Sequence, residues 1–199
     1  YYRRQKHGSS SIVGVFVMSK YWIELMDDAD VRLGVHSHDI TVEDEPALYG
    51  WRGEKGSCYK YSGGINLEGD GKSTSSSVNI KVIRLSEMYL NRAEALMRGA
   101  SISGATAISD INVITSNRGA APYTSVGPVD IETERRKELA WEGHYLYDLA
   151  RWNKPVERAA ADYPLLTMNL DVPFPSTKWA LPLPKSELDV NENLVQNPK

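Results

Sequence analysis

Arg84-Leu-Ser-Glu-Met-Tyr-Leu-Asn-Arg-Ala-Glu-Ala-Leu-Met-Arg98 sets Leu85, Met88, Tyr89, Ala93, Leu96 and Met97 mostly three and four residues apart, and Gly99 follows. That period lines apolar side chains along one helix face, and a glycine just past the last turn ends the helix. The stretch therefore predicts a core-facing helix over 84–98. Ser103 is placed to cap a second helix, in which Ala107, Ile108, Ile111 and Ile114 keep the same period until Asn117, Arg118 and Gly119 break it. Two helices joined by a short turn pack as an antiparallel pair. A loop over 122–128 leads to a third helix, predicted over 131–153, with Leu139, Glu142, Leu146, Leu149 and Trp152 along one side and Pro155 beyond its end. The remainder carries Pro164, Pro173, Pro175, Pro182, Pro184 and Pro198, so extended or irregular chain is expected there.

Upstream the pattern is different. Gly8-Ser9-Ser10-Ser11, Gly50, Gly53, Gly56, Gly63-Gly64 and the Gly/Ser tract over 69–77 interrupt any period, so residues 1–79 read as loops with short strands and 80–199 as a helical region with a proline-rich tail. Residues 12–17 suit a strand and 21–26 a helical turn, although apolar runs this short fit either.

The chain has 199 residues, one domain or part of a larger one, and 23 Lys plus Arg against 26 Asp plus Glu give a net charge of -3. That balance supplies no field for a polyphosphate, so nucleic acid is not an expected partner. Cys58 is the single cysteine, which excludes an internal disulfide and a cysteine-rich zinc site. No apolar run approaches the roughly 20 residues of a membrane span. The chain opens at Tyr1 without an initiator Met and is expected to be a piece of a longer protein.

Several clusters invite a chemical reading. His36-Ser37-His38-Asp39 with Glu43-Asp44-Glu45 offers possible metal ligands, but no third or fourth ligand is fixed by spacing, and a solvated acidic loop is the plainer account. Gly69-Asp-Gly-Lys-Ser-Thr74 imitates the end of a phosphate-binding loop, yet Asn66 stands where the pattern requires its first glycine and a serine run follows where a helix is required. No Gly-x-Ser-x-Gly elbow occurs. On the third helix Glu134 with Lys137, Arg135 with Glu138, and Asp148 with Arg151 are neighbours of opposite charge, and Glu142 lies on the apolar side, which suggests burial with a cationic partner. Like Glu87 and Glu94 on the first helix, these carboxylates read as structure rather than as a pair flanking a scissile bond.

The runs at 84–96, Glu134-Arg-Arg-Lys-Glu-Leu-Ala-Trp-Glu-Gly143, Tyr147-Asp-Leu-Ala-Arg151, Ala180-Leu-Pro-Leu-Pro184 and Asn191-Glu-Asn-Leu-Val-Gln-Asn-Pro198 resemble, in order and spacing, the C-terminal half of the SusD/RagB family. Residues 1–79 resemble the family only loosely; there Asp27-Asp-Ala-Asp-Val-Arg-Leu33 and Lys60-Tyr-Ser-Gly63 sit where members often have an Asp-x-Arg run and a Lys-Tyr run. Tyr145 departs from the arginine usual at that place, which puts in doubt the ion pair that arginine would make. The resemblance implies a mainly α fold of tetratricopeptide-type helix pairs with long loops and short strands. It also implies a Bacteroidetes outer-membrane lipoprotein at the cell surface that caps a SusC-like TonB-dependent transporter. Such a protein binds a nutrient, usually a glycan and sometimes a peptide, without a cofactor and without chemistry upon it. The family's lipid anchor belongs upstream of this chain, and Cys58 is not that residue.

A glycan binder uses aromatic faces for sugar rings and polar groups for hydroxyls, placed on loops. Tyr49-Gly-Trp51-Arg52 and the nearby Tyr59 have that composition, and Tyr49, Trp51, Arg52 and Tyr59 are the expected ligand residues. Trp141, Tyr145, Tyr147, Trp152 and Trp179 lie in or beside the family's structural strings and are expected to pack. The competing readings are a peptide-binding subunit of the same complex, a helical-repeat module whose only partners are proteins, and a glycosidase with paired carboxylates.

Overall fold

A computed structural model describes residues 6–7, 10–11, 24–33, 60, 81–157 and 171–198. The chain divides into two compact units, Tyr1–Glu142 and Gly143–Lys199. Among the described residues it is mainly helical; the strands are the two-residue antiparallel pair β1 (Lys6–His7) and β2 (Ser10–Ser11).

In the first unit, helix α1 (Leu85–Met97) packs against α2 (Ala107–Arg118) and α3 (Pro128–Glu138). The core holds Leu90 and Ala93 from α1, Ile111 and Ile114 from α2, and Ile131 from α3, with Leu139 just past it. The buried face of α1 is turned from the expected one: Leu85 and Met88 are exposed, whereas Leu90 is fully buried. Glu94 occupies a buried place on that face, where Arg98 on the next turn binds its carboxylate at 2.9 Å. Hydrophobicity alone assigns a glutamate to the outside, which rotates the expected stripe away from the true one.

The start of α2 also moves. Thr106, not Ser103, is the cap: its hydroxyl accepts from the Ser109 amide at 3.0 Å while the Ser109 hydroxyl accepts from the Thr106 amide at 2.9 Å, a reciprocal pair that satisfies two amides. Asp110 on α2 is buried and takes a two-pronged contact from Arg92 of α1 at 2.6 and 2.7 Å. Gly119 ends the helix at φ 69, and a Cβ there would stand 2.8 Å from the Ala29 carbonyl oxygen. The segment 27–31 lies against this end: the Val31 amide donates to Arg118 O at 2.9 Å and the Ala121 amide to Asp27 Oδ2 at 3.2 Å. The Asn112 side chain then clasps the backbone of Tyr123, donating to its carbonyl at 2.9 Å and accepting from its amide at 2.8 Å.

The single helix predicted over 131–153 is two. Pro128 starts α3 at its first turn, and α3 stops at Glu138. Trp141 then adopts φ 66 and Gly143 φ 80 before α4 (His144–Arg151) begins. Groups from outside this stretch hold the break. In a continuous helix the carbonyls of Glu138 and Ala140 would receive amides four residues on. Here the Lys60 ammonium donates to both, at 3.1 and 2.9 Å, and Arg84 also donates to the first. Cations on the last carbonyls favour a helix end.

In the second unit, α4 buries Asp148 and Leu149, and Arg151 binds Asp148 at 2.8 Å as the spacing predicts. The Arg151 guanidinium also lies 4.5 Å from the Trp152 ring centre. Leu146 is exposed, and so is Tyr147 at 76%, which corrects the expectation that both pack: the helix is only eight residues long and its buried side is centred on 148–149. The proline-rich tail is irregular as expected, with one three-residue 3-10 turn (Thr177–Trp179) and the short helix α5 (Lys185–Val190). Val156 and Val172 exchange backbone hydrogen bonds of 2.9 Å. Trp179 packs edge-on to Phe174 and donates to Pro173 O at 2.8 Å. The Gln196 amide closes the tail by binding both backbone groups of Leu183, at 2.8 and 3.0 Å.

Candidate functional site

Tyr49, Trp51, Arg52 and Tyr59 lie outside the described residues, as do His36, His38, the acidic run 43–45, Cys58 and the stretch 69–74. The described residues show how the chain is held on either side of 34–59, and that arrangement is ionic.

Four carboxylates and four cations meet at the C-terminal part of α3: Asp30, Glu134, Glu138 and Glu142 with Arg32, Lys60, Arg84 and Arg118. Arg32 grips Asp30 through Nε at 2.9 Å and Nη2 at 2.7 Å, and its Nη1 reaches Glu134 at 2.6 Å and Glu138 at 3.1 Å. Arg118 adds two hydrogen bonds to Glu138, at 3.0 and 2.7 Å. Arg84 bridges both oxygens of Glu142 through Nε, at 3.0 and 2.9 Å, and touches both the side chain and the carbonyl of Glu138. Lys60 pairs with Glu142. The Tyr123 hydroxyl donates to the second oxygen of Glu134 at 3.3 Å.

The charges balance, so the cluster offsets its own desolvation. Glu134 is fully buried and Glu138 and Arg32 nearly so. Burial alone would raise the Glu138 carboxyl, but Arg118 and Arg84 outweigh it and hold this group far below the usual carboxylate range. Glu142 is likewise pushed down by Arg84 and Lys60 against its burial. Burial dominates at Lys60 and lowers its ammonium despite Glu142, while Asp30 and Glu134 keep Arg32 above its ordinary value against the same cost. Burial, then Glu134, pushes the Tyr123 hydroxyl up. Glu138 and Glu142 therefore stay ionised at neutral pH with partners on their oxygens. A general acid requires a carboxyl kept protonated near the working pH; these two are the reverse, and their chemistry is that of a tie between segments.

Part of this arrangement is legible in the sequence. Glu142 was expected to be buried with a cation, and Lys60 and Arg84 are those cations. Glu134 and Glu138 were expected to pair with neighbours on their own helix. Instead they turn inward to arginines from elsewhere, and Arg135 donates to Asn91 of α1 at 2.7 Å. The sequence places Arg118 among the residues that end the second helix, and nothing local marks it as a partner of Glu138. Among the described residues no group of three or more His, Cys, Asp or Glu could hold a metal ion, and no helix is long and apolar enough to cross a membrane.

The family model of the SusD family matches residues 50–199. A search among curated proteins finds no significant match. Solved structures are similar. A candidate sugar-binding protein from Bacteroides vulgatus has TM-score 0.70 and 28% identity, covering 92% of this chain and 39% of that one. A SusD superfamily protein from Bacteroides thetaiotaomicron has TM-score 0.66 and 29% identity, over 92% and 40%. Surface glycan-binding protein A from Bacteroides thetaiotaomicron, in complex with laminarihexaose, shares the fold at TM-score 0.64 and 23% identity, over 91% and 41%. The chain thus spans about two fifths of the length of these structures. The match over residues 50–199 and the shared fold place this chain in the SusD family.

Proposed function

We propose that the chain is part of a lipid-anchored, cell-surface glycan-binding subunit that serves a SusC-like TonB-dependent transporter in the outer membrane, and that it binds its ligand without transforming it. Membership of the SusD family carries this reading. The likeness to a glycan-binding protein solved with laminarihexaose favours a glycan over a peptide as the ligand. The ion cluster favours binding over catalysis: the low-lying carboxyls of Glu138 and Glu142 are occupied by Arg84, Arg118 and Lys60. Retaining or inverting glycoside hydrolysis needs one carboxyl protonated beside the bond and one free to act on the ring or a water.

Tyr49, Trp51, Arg52 and Tyr59 are the residues we assign to the ligand, with aromatic faces for sugar rings and Arg52 for hydroxyls. Affinity electrophoresis of the chain through gels containing β-glucans, α-glucans, xylans and mannans, with a parallel peptide panel in solution, tests the assignment. Retardation by a glycan supports it. Binding of peptides alone would replace the ligand class, and retention by none would leave a protein-interaction module.

A further inference from the structure

Helix α1 carries apolar side chains on two sides, and this chain covers one of them. Leu90 and Ala93, both fully buried, belong to the core that α2 and α3 complete. Leu85, Met88, Tyr89 and Leu96 stand at positions i, i+3, i+4 and i+11, which keeps them together on another side of the helix. That side is open: Leu85 is 70% exposed and Met88 42%, while Tyr89 and Leu96 are half-buried. Val82 and Ile83, just ahead of the helix, are 79% and 72% exposed. The cation among these residues already has its partners. Arg92, one turn on from Met88, reaches Asp110 of α2 at 2.6 and 2.7 Å, and its guanidinium lies 5.4 Å from the centre of the Tyr89 ring. What is left for an occupant is therefore an apolar strip rather than a charge.

A helix that is apolar on more than one side is stable in water when each of those sides is covered, and paired helices cover them by stacking on further helices. The solved structures that share this fold contain chain enough to do so. The present chain covers 39–41% of them, which leaves about three fifths of each without a counterpart here. We propose that the open side of α1, with Leu85 and Met88 at its centre, is an interface for a further helical segment of the same SusD fold, drawn from the part of that fold that this chain does not contain. The inference concerns the scaffold and stands whether the ligand is a glycan, a peptide or neither.

The experiment expresses the whole reading frame that encodes these 199 residues alongside the 199-residue chain itself, and follows methionine oxidation by dilute peroxide with peptide mass spectrometry. Met26, at 8% exposure, is the internal control for folding and should react slowly in both. Met88 is expected to oxidise readily in the 199-residue chain and about tenfold more slowly in the longer product. Leu85→Glu should lower the melting temperature of the longer product by about 5 °C and move that of the 199-residue chain by less than about 1 °C. Leu85→Ala repeats the comparison if the glutamate prevents the longer product from folding. Equal oxidation of Met88 in the two chains overturns the proposal, as does a Leu85→Glu effect of the same size in both. Protection of Met88 that grows with the concentration of the 199-residue chain gives the face to a second copy and overturns it too, and a reading frame that adds no further chain removes the occupant altogether.

Discussion

Glu138→Gln is the sharpest perturbation of the ion cluster. The side chain keeps its size and loses its charge, which leaves Arg32, Arg84 and Arg118 around a neutral amide whose two N–H donors face guanidinium groups that can only donate. Glu138 is 2% exposed and takes contacts from all three arginines. Breaking a buried pair by removing one partner costs about 3–5 kcal/mol, because the cations left behind stay desolvated. The loss here falls in that range and is large against a whole-domain stability of about 5–15 kcal/mol. Urea unfolding followed by circular dichroism at pH 7 measures it.

The pH dependence adds an independent check. Their cationic partners hold Glu138 and Glu142 below the ordinary carboxyl value of 4.5 in the folded chain, so the stability they contribute is present above that pH and is lost as pH falls through their folded range. Glu138→Gln removes one of these groups, so its stability falls less steeply than that of the native chain between about pH 5 and pH 2. A loss under about 1 kcal/mol at pH 7, or an acid slope unchanged by the substitution, would refute the account of Glu138 as a buried ionised hub.

Gly119→Ala forces a Cβ to 2.8 Å from the Ala29 carbonyl at φ 69, and chemical denaturation is expected to show a loss of about 1–3 kcal/mol. Thr106→Ala removes the hydroxyl that caps α2 and costs about 1 kcal/mol, whereas Ser103→Ala, at the position first expected to cap, leaves the unfolding midpoint in place. Trp51→Ala weakens glycan binding by about 1 kcal/mol or more in a calorimetric titration if a sugar ring stacks there, and unchanged affinity removes Trp51 from the site.

Helices α1 and α2 were legible because their period and their breakers are written in their own residues: 84–98 was expected where Leu85–Met97 is found, and Gly99 and Gly119 mark the ends. Their faces were less so. Leu90 is in the core and Leu85 is not, because a buried Glu94 with its own arginine carries a charge into the apolar side. The break after α3 is only partly written in its own residues. The stretch 131–153 has helical spacing apart from Gly143, which takes φ 80, and the last carbonyls at Glu138 and Ala140 are met by a lysine at position 60 and an arginine at position 84, far away in the chain. The same holds for the ion cluster. Spacing along α3 offers Glu134 to Lys137 and Arg135 to Glu138, and only the tertiary arrangement shows Arg32 and Arg118 in their place. Asp30, Arg32 and Lys60 drew notice through the family resemblance alone, and their charge complementarity to α3 cannot be read from local sequence. For the ligand residues, composition remains the argument, since aromatic and basic residues clustered among glycines at 49–59 are what a sugar face requires.

The claim that this chain holds a glycan without cleaving it is tested most directly in one sample: calorimetric titration of the chain with the glycan that retards it most, followed by chromatographic analysis of the sugar after prolonged incubation. The account predicts a saturable isotherm and sugar recovered at its original length. Shortened products that vanish on substituting one carboxylate, or no saturable heat with any glycan of the panel, would contradict it.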